Sequence, residues 1–154
     1  MSYLPSRYAS AAQGALAASA LQSVPAANPV WVKYTKTFTD LSAAALTNDI
    51  ELFQLAARGV IHSAIIKAST AFSGGLIATY TLSLGVSGTL AKYAIAFDVK
   101  QAAGATVFAL NTLPGMESAT TATSIRLAAI STVGNLNAAT AGSVDIWVLQ
   151  SILT

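Results

Sequence analysis

The chain has 154 residues, enough for one domain with a substantial core and too few to expect two. Hydrophobic residues make up 54% of it and charged residues only 9%, with a net charge of +2. An ordinary soluble domain carries roughly 25% charged residues, so much of this surface is expected to be covered, in an assembly or by a membrane.

The membrane reading finds no support in the pattern. No window of about 18 residues is free of polar interruption, as a spanning helix requires, and the short segments lack the aromatic girdles of a transmembrane barrel. The eight Lys and Arg residues are scattered and form no stripe for nucleic acid. There is no cysteine, hence no disulfide framework and no thiolate chemistry.

Residues 1–30 (MSYLPSRYASAAQGALAASALQSVPAANPV) differ sharply in composition from the rest of the chain. They are rich in Ala, Ser and Gln, carry Arg7 as their only charge, and close on Pro25 and Pro29. Arg7 ahead of an Ala-rich run has the outline of a signal peptide, but Gln13, Ser19 and Gln22 interrupt its apolar region. Such a segment has little side chain with which to offset the entropy of ordering it. We therefore expect an N-terminal arm, extended or partly helical over residues 9–21, held by a partner or a neighbouring copy.

From Val30 the pattern changes to period two, the mark of a strand with one buried face. Residues 30–39 set Val30, Val32, Tyr34 and Phe38 against Trp31, Lys33, Thr35 and Thr37. An Ala-rich bridge over residues 41–46 is expected to form one helical turn, with Thr39 or Asp40 as N-cap. Residues 48–56 resume the alternation with Ile50, Leu52 and Gln54. Arg58 and Gly59 read as the turn into the densest apolar block, residues 59–86 (GVIHSAIIKASTAFSGGLIATYTLSLGV). That block reads as the central hairpin, two long strands around Gly74 and Gly75, with Val60, Ile66, Tyr80, Leu82 and Leu84 as core candidates. Neither parity of its first strand is fully polar, so Ile61 and Ile65 are also expected to be covered, by a second sheet or by another copy.

Ser87-Gly88 marks the next turn, and further strands are expected over residues 92–99, 106–110, 124–132 and 143–153. About eight short strands with Gly, Asn, Pro and Ser turns describe an all-β fold: an eight-stranded jelly-roll-like sandwich over residues 31–154 behind an arm of residues 1–30.

Residues suited to chemistry are few. His62 is the only histidine, and without cysteine a His/Cys metal cluster is impossible. The six acids form no calcium-loop motif, the nucleophile-elbow pattern is missing its final glycine at Gly85-Val86-Ser87-Gly88-Thr89, and no phosphate loop is present. Asp49 and Glu51 share a strand face and read as solvated charges. The aromatics Tyr3, Tyr8, Trp31, Tyr34, Phe72 and Trp147 could form a stacking platform, but packing is the default for dispersed rings. The expectation is a non-enzymatic protein with no cofactor and no metal.

The segments DIELFQLAARGVIHSAIIKASTAF (residues 49–72) and TSIRLAAISTVGNLNAATAGSVDIWVLQSIL (residues 123–153) resemble capsid decoration, or cement, proteins of tailed bacteriophages. The resemblance implies a homotrimeric jelly roll on the outer capsid surface, bound to the major capsid protein and bridging capsomers. The arm would then supply contacts, with Tyr3, Leu4, Tyr8, Leu16, Leu21 and Val24 as apolar anchors and Arg7 as the charged one. The competing expectation is a receptor- or carbohydrate-binding sandwich of a virion fibre or tail, its site on the loops at residues 111–123 and 133–142.

Overall fold

The computed structural model describes residues 28–100, 106–108 and 119–153, the middle stretch by its backbone pairing. These form eight strands and one short 3-10 turn, Leu136–Ala138. The strands are β1 (Val30–Thr37), β2 (Thr47–Leu55), β3 (Gly59–Ser73), β4 (Tyr80–Val86), β5 (Thr89–Asp98), β6 (Thr106–Phe108), β7 (Thr123–Ser131) and β8 (Ala141–Ile152).

They pair into two four-stranded antiparallel sheets, ordered β1-β8-β3-β6 and β2-β7-β4-β5. We refer to these as sheet A and sheet B. Of the connections between consecutive strands, only β4 to β5 stays within one sheet; every other one passes between the sheets. This is the jelly-roll arrangement expected from the strand spacing.

The core lies between the sheets and follows the pleat. Val144, Ile146 and Val148 of β8 and Ala64, Ile66 and Phe72 of β3 face Leu82 and Leu84 of β4 and Ile125, Leu127 and Ala129 of β7. Two ring contacts join the layers: Tyr34 of β1 stacks on Phe53 of β2 with centroids 4.9 Å apart, and Phe72 meets Tyr80 at 4.7 Å.

The core candidates Val60, Ile66, Tyr80, Leu82 and Leu84 are all buried. The expected central hairpin does not exist, because β3 belongs to sheet A and β4 to sheet B. Gly74 and Gly75 do not make a hairpin turn: neither has a positive φ. A Cβ on Gly74 would lie 2.3 Å from the Ala138 carbonyl oxygen, so this glycine permits a close backbone crossing. The true two-residue turn is Ser87-Gly88, where Gly88 has φ 81°.

A second departure lies within β3. Its register against β8 shifts between Ile61 and Ser63, so His62 is a bulge residue. Above the bulge Ala64 and Ile66 point inward; below it Ile61 does, packed in the core, while Val60 opposite Ser151 falls on the outer side. Ile61 is thus covered by the second sheet, and Ile65 is half-buried on the outer face of sheet A.

The bridge over residues 41–46 is not helical. Asp40 instead accepts bonds from the Thr37 amide (2.7 Å) and hydroxyl (2.8 Å), which hold its carboxyl below the ordinary value. That turn sends Leu41 into the core, fully buried.

Candidate functional site

The two ends of the sandwich are built differently. The end carrying residues 38–46, 74–79 and 132–140, here the upper end, is sealed by the buried side chains of Leu41, Ile77, Val99 and Leu136. Its loops are tied to one another through the backbone: Leu136 N donates to Ala45 O (2.9 Å), Asn137 N to Ala43 O (2.9 Å) and Thr140 N to Ser73 O (2.8 Å).

The lower end, where the chain enters at Asn28 and β8 finishes, holds two cavities. The larger, of about 310 Å³, opens at the corner where β1, β2 and β8 end, between Asn28, Val30, Leu55, Ala56, Gln150 and Ile152. The smaller, of about 220 Å³, lies between Leu55, Val86, Tyr93 and Thr123. Large apolar side chains stand exposed at the same end: Val30 at 58%, Trp31 at 47%, and Ile152 and Leu153 at 48% each.

The outer face of sheet A carries a polar cluster spanning three strands. Asp145 of β8 accepts hydrogen bonds from the Thr35 hydroxyl of β1 and the Ser69 hydroxyl of β3, both 2.7 Å, and an ion pair from Lys33 at 3.0 Å. Burial works against its charge, but the two hydroxyls and the ammonium outweigh it, so the carboxyl sits below its ordinary value. The Lys33 ammonium also lies 5.0 Å from the centroid of the Trp147 ring. On sheet B the equivalent pair is Asp49 and Arg126, whose Nη2 also donates to the Asp49 carbonyl at 2.9 Å.

His62 and Ser151 meet on sheet A with 2.7 Å between Nε2 and Oγ. Among the described residues no carboxylate bonds to His62, so a Ser–His–acid relay is not assembled there, and the pair bridges β3 to β8. The bulge is what aims the imidazole at Ser151; periodicity alone does not reveal it. Among the described residues no three His, Asp or Glu side chains cluster as metal ligands would, and no helix is long and apolar enough to cross a membrane.

The fold recurs in two phage capsids. A chain of the cyanophage Pam1 capsid asymmetric unit superposes with a TM-score of 0.58 at 17% identity, over 83% of this chain and 86% of that one. A chain of the capsid of Ralstonia phage GP4 does so with a TM-score of 0.57 at 20% identity, over 85% of this chain and 89% of that one. No protein-family model matches the chain, and no curated protein matches it in sequence.

The expected arm anchors Tyr3, Leu4, Arg7, Tyr8, Leu16, Leu21 and Val24 lie outside the described residues. The aromatics of the possible stacking platform are divided. Tyr34 and Phe72 pack inward, Trp31 and Trp147 lie on the outer face of sheet A, and Tyr3 and Tyr8 are outside the described residues. The two loops expected to share a carbohydrate site also separate. Residues 133–142 are at the upper end and residues 119–123 at the lower, with 111–118 outside the described residues. Periodicity does not announce the exposed apolar end and its cavity; the small cluster of Val30, Trp31, Ile152 and Leu153 at the two sandwich termini is the one signal the sequence offers.

Proposed function

We propose that the chain is a non-enzymatic structural subunit of a bacteriophage virion, a decoration protein that binds the outer capsid surface and bridges neighbouring capsomers. The observation that carries this reading is the shared jelly roll: both capsid chains match it over most of their own length and most of this one. The composition agrees, since 9% charged residues leave a surface that gains by being covered. So does the lower end, where exposed apolar side chains surround an open cavity.

In this role the protein works mechanically. Apolar area buried at many symmetry-related contacts, at about 25 cal/mol per Å², resists forces that would separate capsomers, with no turnover. A homotrimer bound to the major capsid protein, with residues 1–29 reaching across the shell, is the form we assign. The test is co-sedimentation with capsids that lack the subunit, comparing the full chain with a variant missing residues 1–29. The full chain is expected to pellet with capsids and the truncated one to remain soluble. Unchanged binding of the truncated chain removes the arm from the mechanism. A full chain that ignores capsids but binds a glycan array replaces the proposal with the carbohydrate-binding reading.

A further inference from the structure

The edge strands of the two sheets differ in regularity. β2 is bulged against β7 between Glu51 and Phe53, β5 shifts register twice against β4, and β6 spans three residues. Bulges and short length are what blunt an edge against further pairing. β1 has neither. It runs in unbroken register with β8 from Val30 to Thr37, and among the described residues nothing pairs with its other side.

The upper end of β1 shows which of its backbone groups face outward. The Phe38 amide donates to Gly142 O (3.0 Å), toward the β8 side. The Thr37 amide instead donates to the Asp40 carboxylate (2.7 Å), and the Thr37 carbonyl accepts from the Asp40 amide (3.1 Å). In an antiparallel strand both groups of a residue point to one side, and the side alternates along the chain. Trp31, Lys33 and Thr35 therefore also turn their N–H and C=O groups outward. Asp40 closes this row above, and Pro29, its next member below, has no N–H to offer.

Lysine is a usual guard of an open edge, but here both lysines are answered within the chain. Lys33 pairs with Asp145, and the Lys36 charge acts on Asp40. The apolar side chains of the same strand are not answered, since Val30 and Trp31 stand exposed.

We infer that β1 pairs antiparallel with β1 of a second copy across a two-fold axis, with the two Val32 residues facing each other on that axis. Self-pairing needs one regular edge, and β1 is the one present among the described strands. Like faces must meet, so odd-numbered residues oppose odd-numbered ones, and three registers engage at least two outward residues on each copy. Lys33 opposite Lys33 sets like charges together. Lys33 opposite Thr35 leaves Trp31 against Thr37, whose groups Asp40 already holds. Trp31 opposite Lys33 covers Val30 and Trp31 and brings a second indole to an ammonium already 5.0 Å from the Trp147 centroid. This last register places Val32 on the axis. A two-fold contact goes beyond the trimer assigned above, because it links copies of different trimers, and it is read without any capsid.

The chain has no cysteine, so single substitutions report cleanly. Facing Val32 residues form a non-hydrogen-bonded pair, with Cα atoms about 4.5 Å apart, within the reach of a disulfide. The full-length variants Val32→Cys, Lys33→Cys and Tyr34→Cys are oxidised and run on a non-reducing denaturing gel. Val32→Cys is expected to give a covalent dimer at least tenfold more abundant than either of the others. Val30→Cys mixed with Tyr34→Cys should give the heterodimer. Adding Trp31→Pro to Val32→Cys deletes an outward donor while sparing the bonds to β8, which even-numbered residues make. The cross-link should then fall at least tenfold at an unchanged urea midpoint. A Lys33→Cys or Tyr34→Cys dimer that dominates overturns the register. A Val32→Cys chain that stays monomeric on oxidation at high concentration, or a dimer that the proline leaves undiminished, overturns the pairing. If the dimer forms and capsid binding fails, the pairing stands and the decoration role falls.

Discussion

The upper and lower ends of the sandwich are made from the same kinds of residue, yet among the described residues one is plugged by large buried side chains and the other exposes them. At the upper end the connections are long enough to fold a side chain beneath themselves: Leu41 from the first loop, Ile77 from the crossing after β3, and Leu136 from the 3-10 turn. Several of their backbone donors and acceptors find partners in one another, which offsets the cost of burying the plug. At the lower end the described links are residues 56–58, Ser87-Gly88 and the segment leading into β7, where Ala119 is tied to Arg58 and Gly59 through the backbone and packs against the core. Among the described residues, the upper end is thus plugged by large side chains from its own loops, while the lower end exposes Val30, Trp31, Ile152 and Leu153.

The contrast predicts unequal sensitivity. Leu136→Ala removes an upper plug and is expected to cost about 2–5 kcal/mol, read as a lower urea midpoint with an unchanged slope. Ile152→Ser at the lower rim should stay within about 0.5 kcal/mol in the isolated protein. Equal losses would mean that the lower end is also closed in solution.

A second comparison uses pH. The Tyr80 hydroxyl is buried with no hydrogen-bond partner among the described residues, and burial pushes it up to about 12. Between the ordinary 10.0 and about 12 the folded state keeps the phenol proton while the unfolded state loses it, so stability falls as pH rises through that window. The loss approaches about 3 kcal/mol above it. Tyr80→Phe should flatten this alkaline limb and be neutral or slightly stabilising at pH 7, because it deletes an unpaired polar atom. An alkaline limb unchanged in the Phe variant assigns the effect elsewhere.

A further comparison concerns the ties across the upper half of sheet A. Asp145→Asn keeps the shape but weakens the bonds from Thr35, Ser69 and Lys33, at an expected cost of about 1–2 kcal/mol at neutral pH. The carboxyl lies below its ordinary value, so its contribution is present above pH 3.8 and disappears as pH falls through its lower folded value. The Asn variant should therefore lose less stability on acidification than the parent does. Asp49→Asn, at the exposed Arg126 pair on sheet B, should change little by the same assay.

Much of the fold was legible because alternation is local. The eight strands, the Ser87-Gly88 turn and the inward Tyr80, Leu82 and Leu84 all follow from side chains two residues apart. What alternation cannot report is which sheet a strand joins. β3 and β4 read as a hairpin because each alternates well and two glycines lie between them, while the partner that decides the matter, the Ala138 backbone against Gly74, is more than sixty residues away in sequence. The His62 bulge was hidden for a related reason: one added residue exchanges the two faces, and β3 is apolar enough on both sides to read smoothly through it. The Asp145 cluster draws on Lys33, Thr35, Ser69 and Asp145, which only the strand order brings together. The lower cavity is formed by residues from the ends of three strands far apart in sequence, which no motif announces.

The strand order also governs when the molecule can exist at all. β8, from the last fourteen residues of the chain, sits between β1 and β3, and β7 sits between β2 and β4. Until both have left the ribosome, each sheet lacks its middle strand, and the earlier strands have only β4 with β5 and β3 with β6 to pair. Completion of both sheets therefore waits for β7 and β8, and it requires contacts such as Thr35 to Asp145, 110 positions apart. Closing loops of that size places folding in the slow range of all-β domains, of order milliseconds to seconds. Until β8 is in place, β1 and β3 present unpaired edges to one another and to other copies, so that is when the chain is most exposed to wrong pairing.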